Sequence, residues 1–62
     1  MDPQANIEEQ VRLARALLAT ADAGEDLDGG DALRLADIVL ALVEWKSRQG
    51  FDPDWAAALE QA

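Results

Sequence analysis

The chain reads as an all-α protein: a helical hairpin followed by a short third helix, in one small domain of 62 residues. Three observations predict this. Apolar side chains recur at helical spacing over two long stretches, residues 6–22 and 32–49. Between them, residues 22–31 hold three glycines and five carboxylates, a composition that breaks helices and strands alike. No segment alternates apolar and polar residues with period two, and Ala and Leu dominate the composition, which favours helix over sheet.

The first helix is expected over about 6–22. Ile7, Val11, Ala14, Leu18 and Ala21 are separated by 4, 3, 4 and 3 residues, and Leu13 and Leu17 widen that stripe. Glu8, Arg12, Arg15 and Ala19 occupy the opposite face, with Glu8 and Arg12 in the favourable i,i+4 order. Two starts compete. Asn6-Ile7-Glu8-Glu9 has capping-box spacing, whereas Asp2-Pro3 would place a cap at Asp2 and proline at the first helical position. An ordered helix from about Asn6 is favoured, with extension back to Pro3 left open. In the acidic loop 22–31, Gly24 suits the left-handed position after a helix end. Asp28 or Asp31 is placed to cap the next helix.

The second helix, about 32–49, carries two apolar stripes. Leu33, Ala36, Leu40 and Val43 form one; Leu35, Ile38, Leu42 and Trp45 form a second beside it, with Val39 between. Its clearly polar line is Arg34, Asp37, Ala41, Glu44 and Arg48. A helix on the outside of a monomer needs one apolar face. This one is apolar around most of its circumference and should be central. Two other short helices cannot surround it, but a second copy of the chain can. The expectation is a homodimer with a four-helix core, its core or interface drawn from Leu33, Leu35, Ile38, Val39, Leu40, Leu42 and Val43. Gly50 then suits the position after the helix, and Phe51 can fold back onto Trp45. Asp52 as cap and Pro53 at the first position start a third helix over about 53–60.

Composition removes several functional classes. There are no cysteines, hence no disulfide and no thiolate metal site, and no histidines, hence neither the usual general base nor the commonest metal ligand. A net charge of −8 argues against direct binding to nucleic acid or anionic lipid. No signal peptide and no membrane span is expected, which points to a protein of the cytoplasm. The acidic loop fails as a calcium loop: counted from Asp26, position 5 is Gly30 and position 12 is Asp37, already inside the second helix. The close carboxylate pairs, Glu8-Glu9 and Asp52/Asp54, sit where helix starts favour acids. Ser47 has only Lys46 nearby, pointing elsewhere on the helix. No catalytic residue, cofactor or metal is assigned. Trp45, Phe51 and Trp55 should seal the end of the hairpin; the alternative is that one Trp is exposed as an anchor for a partner.

The second helix and its exit resemble a group of small acidic proteins encoded by bacteriophages of actinobacteria. The residues that carry the likeness are Arg34-Leu35-Ala36-Asp37, Val39-Leu40-Ala41-Leu42, Glu44-Trp45, Gly50-Phe51, and Pro53 followed by Trp55. Asn6 to Leu18, with its Glu-Glu-Gln and Arg-Leu-Ala runs, is similar to the group's N-terminal half. The chain departs from the pattern at Val43 and over residues 46–49. The resemblance implies a phage or prophage origin, a bacterial host cytoplasm, and no activity to transfer. The function expected is a non-enzymatic interaction or assembly protein that binds itself and a host or phage protein. The alternative is an acidic inhibitor that mimics nucleic acid in a basic groove of a host enzyme.

Overall fold

A computed structural model describes residues 1–49 and 52–61 of the chain. It consists of three helices, α1 (Pro3–Asp22), α2 (Gly29–Gln49) and α3 (Trp55–Gln61), with no strand among the described residues. The expected roles of Gly50 and Phe51 at the exit of α2 lie outside the described residues.

Helix α1 begins at the earlier of its two possible starts. Asp2 is extended and its carboxylate accepts the Ala5 N–H at 3.1 Å, with Pro3 in the first turn. Asn6 is therefore free of capping duty and is buried instead. Its side-chain amide donates to the Ile38 carbonyl at 2.9 Å and its oxygen accepts from Gln10 at 2.6 Å. Proline preset for the first helical position outcompetes a cap that would leave Pro3 and Gln4 without helical bonds.

The end of α1 follows the expectation for Gly24, whose φ is +75°. The Gly24 N–H reaches the Ala21 carbonyl at 3.0 Å and the Glu25 N–H reaches Thr20 at 3.1 Å, the paired bonds of a Schellman ending. Asp28, rather than Asp31, caps α2. Its carboxylate accepts from the Gly30 N–H at 2.8 Å and the Asp31 N–H at 3.3 Å, so α2 starts three residues before the expected boundary and takes both glycines into its first turn.

The start of α3 differs in the other direction. Asp54, not Asp52, is the cap: its carboxylate accepts the Ala57 N–H at 3.0 Å, and α3 begins at Trp55 rather than Pro53. Asp52 instead pairs with Lys46 at 2.9 Å.

The helices sit in an open row. α1 and α2 are antiparallel, since Asn6 meets Ile38 while Glu9 meets Arg34. α3 runs in the same sense as α1, with Gln4 at its start and Arg15 at its Leu59 carbonyl. Among the described residues, no Cα of α3 comes within 8 Å of α2. The middle helix of the single chain is thus α1. The molecule measures 39 × 23 × 12 Å, and its radius of gyration of 12.6 Å exceeds the roughly 10.5 Å of a compact chain this long. Its core is correspondingly thin: Ile7, Leu42, Trp45 and Ala58 form one cluster with Val11 packed against it.

Candidate interaction surface

Helix α2 is the element that positions the candidate site. One turn advances 3.6 residues, so its two apolar stripes point about 160° apart, back to back rather than side by side. The stripe containing Ile38, Leu42 and Trp45 is turned towards α1 and buried, and Leu35 is half-buried. The other stripe faces outward. Leu33 is 74% exposed, Leu40 57%, Val43 58% and Val39 39%, and Ala36 is exposed among them.

This arrangement separates the residues expected to form a dimer core or interface. Ile38 and Leu42 belong to the interior of the single chain. Leu33, Val39, Leu40 and Val43 belong to its surface. Leu33, Ala36, Leu40 and Val43 follow one another at the 3, 4, 3 spacing of heptad a and d positions, while α1 covers the opposite side of α2. The outward row is a contiguous exposed apolar patch, the kind of surface that marks an interaction site.

Because the stripes are back to back, α1 lies on the far side of α2 from the open face.

The aromatic residues divide similarly. Trp45 lies in the core cluster, whereas Trp55 is exposed and stands one turn from exposed Leu59 on α3. Leu18, near the end of the α1 stripe, is exposed. Phe51 lies outside the described residues.

A second feature is a cleft of about 220 Å³ between the start of α1 and the middle of α2, lined in part by Asp2, Asn6, Glu9 and Arg34. It is smaller than the ~300–1,000 Å³ usual for ligand pockets. Its polar groups have partners already. Asp2 caps α1, Asn6 bonds Ile38, and Arg34 grips Glu9 through two bonds of 3.0 and 2.9 Å. The Arg34 hydrogen bond, reinforced by its charge, holds the Glu9 carboxyl below the usual glutamate range; Glu9 raises Arg34 in turn. Of the close carboxylate pairs, Glu9, Asp52 and Asp54 therefore each serve a structural contact. Among the described residues no three acidic groups converge as metal ligands, and no helix is long and apolar enough to cross a membrane.

The residues that sequence reasoning missed are polar. Gln4 clamps α3 to α1 by donating to the Asp54 carbonyl and accepting the Asp54 N–H, both at 2.8 Å. Asn6 and the Glu9–Arg34 pair join α1 to α2. No periodic signal marks such residues, because each acts through one distant partner. No family model, curated protein or solved structure matches the chain.

Proposed function

We propose that this protein is a non-enzymatic interaction or assembly module, of the kind encoded by actinobacterial phages, that works as a homodimer through the outer face of α2. The observation that supports this reading is the exposed row Leu33, Ala36, Leu40 and Val43. It is continuous over three turns, follows coiled-coil spacing and stays exposed in the single chain. Stable domains bury their apolar stripes between packed layers. An open row of three helices with a thin core gains such a layer from a second copy. The free surfaces left after pairing, including Trp55 with Leu59, are where a host or phage protein would dock.

The mimicry reading draws on the same charge of −8. It has weaker support, because five of the 13 acids gather in residues 22–31 instead of tracking a long face. Sedimentation equilibrium tests the main reading. A mass near twice 6.7 kDa at micromolar concentration supports it, and a monomer throughout refutes it.

A further inference from the structure

Resting on the self-association just proposed, we infer that the two copies pair with their α2 helices antiparallel, Leu33 of each against Val43 of the other and Ala36 against Leu40. Two independent features of α2 point to this arrangement.

The first is side-chain size. In an antiparallel seam, a positions face d positions of the second copy, so the smallest residue of the row, Ala36, receives the large Leu40. The layers then have matched volumes, which dense packing requires. A parallel seam sets Ala36 against Ala36 and leaves a gap directly beside the Leu40 layer.

The second is charge along the helix. The end of α2 that follows the loop carries Asp28 and Asp31, with Asp22, Glu25 and Asp26 just before it. The other end carries Lys46, paired with Asp52 at 2.9 Å, and Arg48. Antiparallel pairing keeps the two acidic loops at opposite ends of the dimer and brings each to the end that holds Arg48. Parallel pairing would gather both acidic loops at one end, at a cost rising as salt is lowered. The seam edges contain one opposing group. Asp37, at the edge of the row, faces Asp37 of the second copy near the twofold axis, with Glu44 farther along that edge. Asp37 is 77% exposed and has Arg34 at 3.9 Å, so solvent and a cation both attend it.

The chain has no cysteine, so introduced thiols report geometry without background. Ala36→Cys and Leu40→Cys are prepared separately, mixed while reduced, and then oxidised. A disulfide needs Cα atoms within about 4.4–6.8 Å of each other. The expected result is a mixed disulfide, identified by mass, in the combined sample and no disulfide in either variant alone. Leu33→Cys with Val43→Cys is the second pair and should behave likewise if Leu40→Cys weakens the seam. Disulfides forming in each variant alone would show parallel pairing and overturn the orientation while leaving self-association standing. A dimeric chain that forms none of these disulfides would overturn the α2 seam. A monomeric wild-type chain in sedimentation would overturn the reading on which both rest.

Discussion

Replacing Gln4 with alanine should release α3 without unfolding the hairpin. The Gln4 amide makes two bonds of 2.8 Å to the backbone of Asp54, the residue that caps α3. Each such bond contributes about 0.5–1.5 kcal/mol net, and exposed bonds fall in the lower half of that range, so Gln4→Ala should weaken docking by about 1–2 kcal/mol. Helix α3 has seven residues and cannot persist alone. The buried Ala58 methyl and the Arg15 bond to the Leu59 carbonyl also hold it. The equilibrium for opening should therefore shift about 5- to 30-fold. Hydrogen exchange reads this directly at the Ala57 and Ala58 amides, bonded to the Asp54 side chain and carbonyl. Both should lose protection by that factor, while amides in the middle of α2 keep theirs. Gln4→Glu adds a check with a defined sign. Its carboxylate can accept the Asp54 N–H but cannot donate to the Asp54 carbonyl, so docking should tighten as pH falls through the pKa of the introduced carboxyl. Unchanged protection at Ala57 and Ala58 in Gln4→Ala would refute the clamp.

Three further outcomes follow from particular contacts. Gly24→Ala should cost about 1–2 kcal/mol from its positive φ alone, since a Cβ there meets no atom within 4 Å; thermal denaturation showing no loss would contradict the left-handed ending. Asp28→Ala should cost about 1 kcal/mol through loss of the α2 cap, whereas Asp26→Ala, on the exposed loop, should stay within about 0.5 kcal/mol, and equal effects would argue against the cap. The Glu9 carboxyl, held low in the folded state, contributes stability above its unfolded pKa that is lost as pH falls through its folded value. NMR titration of Glu9 should show that low value and its return upward in Arg34→Gln; an identical titration in the variant would show that Arg34 is not the cause.

The helices and their central break were legible because they rest on repeating patterns. Spacing places Ile7 and Val11, and also Leu42 and Trp45, on shared faces, and the core cluster unites them. Gly24 was legible because few residues adopt positive φ. The caps were ambiguous for a physical reason: several acids stood near each helix start, and the backbone path decides which can turn back. Asp54 caps α3 while Asp52, two residues earlier, reaches Lys46. The outward row was visible as a stripe, but its relation to α1 was not. Apolar periodicity gives the angle between Leu40 and Leu42 without saying which of them the first helix covers. The clamp by Gln4 and the buried amide of Asn6 depend on residues 50 and 32 positions away, beyond any local pattern.

The central claim is that α2 has an inner face for its own chain and an outer face for a second copy. Sedimentation equilibrium and circular dichroism on Leu40→Asp, compared with Leu42→Asp, test it most directly. Leu40 is exposed in the single chain and Leu42 is 7% exposed in the core. Leu40→Asp should turn a dimer into a helical monomer, because an unpaired carboxylate in the seam costs several kcal/mol and weakens association more than about a hundredfold. Leu42→Asp should unfold the chain, whose total stability is about 3–9 kcal/mol for this length. A wild-type dimer that Leu40→Asp leaves intact, or a Leu40→Asp chain as unfolded as Leu42→Asp, would contradict the division of α2 into two faces.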